Sequence, residues 1–240
     1  MNAFWLAVQF LTRLPVPCRV AYTAESAGRA VIFYPWVGLM LGCLLAALQW
    51  LLENSGASLV AALVLTAWVL LSGGLHLDGL ADSADAWVGG HGDAERSLRI
   101  MKDPCSGPAA VASVVLLLLM KYGALVELAG QAPWPLLFAP LVGRAAIPWL
   151  LLTMPYVRQQ GLGSPLVENL PRRAAWLSAG LALLVALPFL GPWPLLAAGL
   201  SALGLRRLMR QRLGGCTGDT LGAAVEITEA VILVAGVLSS

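Results

Sequence analysis

Residues 31–52 read VIFYPWVGLMLGCLLAALQWLL, a run without a single charge. About 20 mainly apolar helical residues cross a bilayer core, so this stretch alone predicts a membrane span. Ala57–Leu75, Ala109–Ala129, Pro133–Met154 and Leu221–Leu238 have the same character. Ala174–Leu205 is too long for one helix, and Pro188, Gly191, Pro192 and Pro194 interrupt it. Those breakers divide it into Ala174–Leu187 and Trp193–Leu205, giving seven expected spans. The N-terminal MNAFWLAVQFLTRLPVP lacks a basic leader, and its apolar part, Ala3–Leu11, is too short to span. A short helix at the interface, or re-entering the membrane, is expected there rather than a cleaved signal peptide.

The whole chain agrees with its apolar runs. Of 240 residues, 59% are hydrophobic and 12% charged, and the mean hydropathy is +0.79. A soluble domain is nearer half apolar and a quarter charged, so a soluble fold is excluded, as are disorder, coiled coil and a disulfide scaffold. A membrane barrel would show short alternating strands instead of long apolar runs. Cys18, Cys43, Cys105 and Cys216 are scattered, with no CxxC pair, so neither a zinc site nor a disulfide framework is legible. The net charge of +2 is too small to point to nucleic acid. No repeat or long linker divides the chain. The expected architecture is one all-α polytopic integral membrane domain, residues 1–240, with a polar site on its cytoplasmic side.

Basic residues set the orientation. With seven spans, one side receives the N-terminal segment and the loops after Leu75, Met154 and Leu205. It holds Arg13, Arg19, Arg29, Arg96, Arg99, Lys102, Arg158, Arg172, Arg173, Arg206, Arg207, Arg210 and Arg212, which leaves only Lys121 and Arg144 of the 15 basic residues, both inside spans. The positive-inside rule makes that side cytoplasmic. A six-span count would move Arg206–Arg212 to the wrong side.

The acids lie in, or just inside the membrane from, the glycine-rich cytoplasmic connections. Asp78, Asp82 and Asp85 in GGLHLDGLADSADAW have the spacing i, i+4, i+7, which puts them on one helical face with Cβ atoms roughly 5–6 Å apart. Three such carboxylates repel one another unless protonated or bridged by a cation. A hard divalent ion such as Mg²⁺, sharing phosphate oxygens, resolves the conflict. A proton or cation path and an acidic helix start are the alternatives. Arg96, Arg99 and Lys102 follow at near-helical spacing and suggest a phosphate clamp, or headgroup contacts for Arg96. Lys102 and Asp103 abut Pro104 at the entrance of the next span, a functional placement.

GGCTGDTLGAAVEITE joins a glycine loop containing Thr217 to a helix start, a natural seat for phosphate. Asp219 belongs either to that seat or to the helix cap. Glu226 and Glu229 lie deeper, either joined to the same site or neutralised by Lys121 or Arg144. Arg144 is an intramembrane arginine that needs a partner. Arg158 binds phosphate or anchors a helix end. His76 and His91 make no metal signature. No GxSxG, HExxH, Walker A or GxGxxG motif occurs.

In chain order, FLTRLPVP, GGLHLDGLADSADAW, IMKD before a glycine turn, the GR of PLVGR, PYVRQQGLG and GGCTGDTLGAAVEITE resemble the cobalamin synthase family, the adenosylcobinamide-GDP ribazoletransferases. The resemblance covers essentially the whole chain. Two places depart from it: Ala86 stands where the family often has Gly, and Pro104-Cys105-Ser106 precede Gly107. It implies that a ribosyl hydroxyl of α-ribazole, or of its 5′-phosphate, attacks the phosphoryl group on adenosylcobinamide and releases GMP. Asp78, Asp82 and Asp85 would hold Mg²⁺, while Asp82, Asp103 and Lys102 would act in catalysis. Arg99, Arg144, Arg158, Thr217, Asp219 and Glu226 would contact substrate or phosphate. The implied setting is the bacterial cytoplasmic (inner) membrane, with the active side facing the cytoplasm. The partners implied are the two small-molecule substrates and the lipid bilayer. A homo-oligomer, and contacts with other cobalamin-pathway enzymes, are left open.

Two other classes compete. An ion-coupled transporter would use the intramembrane acids as a relay, but it would place them near the midplane in repeated halves. A CDP-alcohol phosphotransferase shares the spaced aspartates and the chemistry. It would require DGxxAR where this chain has DGLADS.

Overall fold

The computed structural model describes residues 2–17, 21–158 and 163–239, so Cys18, Arg19 and residues 159–162 of the PYVR motif lie outside the described residues. The elements are helices α1 (Asn2–Leu11), α2 (Ala24–Ala30), α3 (Tyr34–Leu51), α4 (Ala57–Ser72), α5 (Leu75–Gly89) and α6 (Ala94–Ile100). They are followed by α7 (Pro108–Glu127), α8 (Trp134–Thr153), α9 (Gly163–Glu168), α10 (Arg172–Leu190), α11 (Pro192–Leu213) and α12 (Gly218–Leu238). A single 3-10 turn, Val31–Phe33, joins α2 to α3 into one continuous apolar rod. Helices satisfy their own backbone groups, which a lipid surround demands.

Two helices form the centre. The apolar windows of α8 and α12 are 83% and 72% buried, whereas those of α7 and α10 are 28% and 33% buried and so form the periphery. α3 packs on α8 through Gly38 and Gly42, where side chains would collide with the carbonyls of Pro140 and Leu137. Small residues four apart let two membrane helices approach in this way. The N-terminal helix α1 turns Leu6, Ala7, Val8 and Leu11 inward. Just after it, the Arg13 N–H donates to the Leu71 carbonyl at the end of α4 at 2.7 Å.

Length and apolarity qualify five helices as spans, or six if the bent pair α4 and α5 counts as one. The expected number of seven depends on α4 and α11. α4 reaches span length only together with α5, from which it is bent by 87°. Gly73 and Gly74 make that corner with φ of +67° and +70°, a left-handed conformation that side chains oppose. α11 is 22 residues long but ends in Arg206, Arg207, Arg210 and Arg212, which keep it out of the count. It nevertheless runs alongside the spans. It starts next to the end of α10, where Phe189 meets Trp134 at 4.9 Å, and Arg206 donates to the Thr153 carbonyl at the far end of α8 at 2.8 Å. The break between α10 and α11 is a single residue, Gly191, with Pro188 absorbed into α10. Both helices are therefore longer than expected.

Two of the arginines expected on the cytoplasmic side meet the same helix end. Arg172 and Arg206 donate to the last carbonyls of α8, Leu152 and Thr153. Cations there complement the negative end of the helix dipole.

Candidate active site

The site begins where α5 crosses α12. A Cβ on Gly79 would lie 2.6 Å from the Asp219 carbonyl oxygen, and one on Gly222 would lie 3.2 Å from the Cα of His76. Only glycines allow so close an approach. It sets Asp78 and Asp82 on α5 against the first turn of α12, which carries Asp219. Asp78 and Asp219 both add negative charge at Asp82, and Arg158 opposes them.

Arg158 arrives by a separate device. The strand-like segment after α8 pairs with the loop before α12, Tyr156 bridging to Cys216. The Cys216 N–H donates to the Pro155 carbonyl and the Val157 N–H to the Cys216 carbonyl, each at 2.9 Å. Arg158 Nη1 then donates to Asp219 Oδ2 at 3.1 Å, with both side chains partly exposed. Thr217, not Asp219, caps α12: its hydroxyl accepts from the Thr220 N–H at 3.2 Å, and the Thr220 hydroxyl accepts from the Thr217 N–H at 2.9 Å. Asp219 is thereby left free of capping duty. Burial pushes the Cys216 thiol up to about 12, so it offers no thiolate. Burial also raises Tyr156, whose hydroxyl keeps its proton at neutral pH.

Two cavities meet at the Arg158–Asp219 pair. The smaller, about 240 Å³, is lined by Leu98, Met101, Lys102, Val157 and Thr217 together with that pair. The larger, about 640 Å³, extends from Asp78, Asp219 and Arg158 to residues of α1, α2, α8 and α9. The lining includes the segment that follows α8 and the first turn of α12, near the α8 end that Arg172 and Arg206 cap.

Of the residues expected from the sequence, Lys102, Arg158, Thr217, Asp78 and Asp219 line these cavities, and Asp82 stands beside them. Arg99 and Asp103 are exposed on α6 and just after it, and neither lines a cavity. Asp103 instead accepts from the Cys105 N–H in a local turn at 3.0 Å. Asp85 departs from the expected carboxylate trio. One of its oxygens accepts from the Gly107 N–H and the other from the Ala110 N–H, capping α7 from outside. Among the described residues, no three His, Cys, Asp or Glu side chains are placed to hold a metal ion together.

Arg144 and Glu226 lie in a buried charge network. Lys121 Nζ donates to Glu226 Oε2 and to Glu229 Oε2, each at 2.6 Å. Arg144 Nη1 donates to Glu229 Oε1 at 2.6 Å and to the Pro140 carbonyl at 3.3 Å. Lys121 also stands 4.5 Å over the Trp68 ring. Arg144 and Glu229 are fully buried, and none of the four charged residues lines either cavity. A charge in an apolar core must be paired, and these four pair with one another.

The family model described as cobalamin-5-phosphate synthase matches residues 3–237. The chain belongs to that family. It is 54% identical over 237 residues to the adenosylcobinamide-GDP ribazoletransferase of Pseudomonas putida strain F1, covering 97% of each chain. It is 52% identical over 237 residues to the enzyme of that name from Pseudomonas fluorescens Pf-5, covering 97% of this chain and 98% of the relative. With that from Pseudomonas syringae pv. syringae B728a it is 50% identical over 238 residues, with the same coverage. No solved structure matches it. Relatives this similar over their full length count against the transporter and CDP-alcohol phosphotransferase readings.

Sequence reasoning missed Tyr156, His76 and the α1 wall as parts of the site. His76 lines the large cavity, 4% exposed, with no hydrogen-bond partner on Nδ1. Its only sequence signal was its place two residues before Asp78.

Proposed function

We propose that this enzyme transfers the adenosylcobinamide phosphate moiety from adenosylcobinamide-GDP to α-ribazole or α-ribazole 5′-phosphate, releasing GMP in the last steps of cobalamin biosynthesis. The observation that carries the reading is the meeting of two cavities at Arg158–Asp219, one with a basic wall and one largely apolar, beside Asp78 and Asp82. A two-substrate phosphoryl transfer needs two binding spaces that share one reacting centre, and catalysis there rests on positioning and charge neutralisation.

Lys102 and Arg158 hold the negative charge of the donor's pyrophosphate in the small cavity. The Thr217-capped start of α12 adds free N–H groups to it. A ribosyl hydroxyl oxygen forms the new bond to phosphorus, and the bond from that phosphorus to the GMP oxygen breaks. One of the carboxylates at the junction, Asp78, Asp82 or Asp219, takes the hydroxyl proton. Oxygen-only carboxylate donors suit Mg²⁺, which binds through one or two carboxylates and completes its shell with water and phosphate, so Asp78 and Asp82 suffice without Asp85. Bound there, Mg²⁺ would supply neutralisation of the pyrophosphate charge.

The proposed setting is the bacterial cytoplasmic membrane with this end of the bundle inside, supported by the one-sided basic residues. The test is purified protein in liposomes with adenosylcobinamide-GDP, α-ribazole and Mg²⁺, with products separated by chromatography. GMP and a new corrinoid phosphodiester should form in equal amounts and require the metal. GMP release without a corrinoid product would overturn the reading.

A further inference from the structure

The larger cavity has two kinds of wall. Near the Arg158–Asp219 pair it presents Asp78 and Tyr156, polar groups on that side of the cavity. His76 also lines the cavity, but it is 4% exposed and the charges nearest its imidazole are Arg144 and Lys121 of the buried network, so it is left out of the ligand contacts. Away from that region the wall is mainly apolar and partly aromatic, built by Leu6, Phe10, Tyr34, Leu151 and Val167, with Gln9 and Tyr22 also on it. Phe10 and Tyr34 lie nearly parallel, with ring centroids 6.0 Å apart and an interplanar angle of 17°. The volume, about 640 Å³, is within the roughly 300–1,000 Å³ of small-molecule sites.

We propose that this cavity is the acceptor subsite, holding an apolar planar base against the Phe10–Tyr34 wall and its ribose against Asp78 and Tyr156. The inference rests on the transferase reading and assigns one of its two substrates to a place. A nucleoside with an apolar aromatic base has the same two-part character as the cavity, planar and apolar at one end, rich in hydroxyls at the other. Guanine, with polar groups on every edge, would leave most of them unpaired against Leu6, Leu151 and Val167, and buried unmade hydrogen bonds are costly. A corrin macrocycle with its amide arms is too large for the space. The acceptor therefore enters from the α1 and α9 side, and its ribose stops where Arg158 and Asp219 divide the two cavities. The donor's nucleotide phosphates approach from the Lys102 side.

Two variants test the assignment, Phe10→Ala, which removes an exposed part of the aromatic wall, and Val167→Trp, which fills the cavity from the half-buried face of α9. KM for each substrate is measured in liposomes, and α-ribazole binding is followed by calorimetry without donor. Both variants should raise KM and Kd for α-ribazole about tenfold and leave KM for adenosylcobinamide-GDP within about twofold. A rise in KM for the donor instead would overturn the assignment. So would unchanged KM and Kd for α-ribazole in both folded variants, the result expected if a lipid chain fills the cavity. Wild-type protein that makes no corrinoid product would sink the transferase reading itself, a failure distinct from the other two.

Discussion

Two charged clusters lie within about two helical turns of each other along α12, and they differ in how their charges are answered. Around Glu226 and Glu229, two carboxylates meet two cations, Lys121 and Arg144, in a buried network. Around Asp219, three carboxylates share one nearby guanidinium, with Lys102 on the wall of the small cavity, and the side chains stay partly open. The closed, balanced cluster ties α7, α8 and α12 together. The open, unbalanced one has spare negative charge and room beside it, which is what a metal- and phosphate-handling centre requires. Depth in the membrane does not by itself mark function; unanswered charge beside a cavity does.

The largest effect should come from unbalancing the closed cluster. Glu229 binds both Lys121 and Arg144, so Glu229→Gln leaves buried positive charge uncompensated, at roughly 3–5 kcal/mol. Folded protein recovered in detergent should fall sharply, and adding Arg144→Gln should restore part of it. Normal yield and an unchanged Tm would remove the structural role assigned to the network.

Next is the open cluster. Asp78→Asn should lower turnover by at least about 10²-fold, or ~2.7 kcal/mol of transition-state stabilisation, with the amount of folded protein unchanged. A variant that keeps most of its activity would mean that the two clusters do not divide function from packing in this way.

Asp85→Ala separates capping from metal binding. Because Asp85 accepts from the Gly107 and Ala110 N–H groups, its loss should cost about 0.5–2 kcal/mol of stability, seen as a lower Tm. The Mg²⁺ concentration for half-maximal turnover should stay where it is. A rise in that concentration without a change in Tm would return Asp85 to the metal ligands.

The parts legible in the sequence were those with local signals. The uncharged run 31–52 and its counterparts announced the helices, and Gly191 marked a break that the structure keeps, whereas the corner at Gly73–Gly74 falls inside the expected span Ala57–Leu75. The i, i+4, i+7 aspartates do fall on one helix, α5, and Arg172 and Arg206 do meet the same end of α8. Pairing of Glu226 with Lys121 was one of the open alternatives. What stayed hidden depends on partners far apart in the chain. Nothing near Gly79 announces that Asp219 will lie against it, nor near Arg158 that the Tyr156–Cys216 bridge will carry it there. The Gly38–Gly42 spacing was a usable signal for close packing against α8. Asp85 as a cap for α7 has no local signature, since its acceptor role is set by where α5 crosses the Gly107 turn.

The smallest effects are expected outside both clusters. Arg99→Gln and Asp103→Asn change exposed residues that line neither cavity, so turnover should move by less than about threefold, under ~0.7 kcal/mol. A drop as large as that of Asp78→Asn would show that α6 and its following loop fold over the site during the reaction.

Turnover per folded molecule, compared between Asp82→Asn and Glu226→Gln in the same liposome assay, tests the division most directly. Both changes remove one carboxylate charge from a helix next to the site and keep the side chain's shape. We expect Asp82→Asn to be folded and at least about 10²-fold slower, while every Glu226→Gln molecule that folds works within about threefold of wild type. The reverse result, a working Asp82→Asn enzyme and a folded but inactive Glu226→Gln enzyme, would contradict the assignment of chemistry to the open cluster and packing to the closed one.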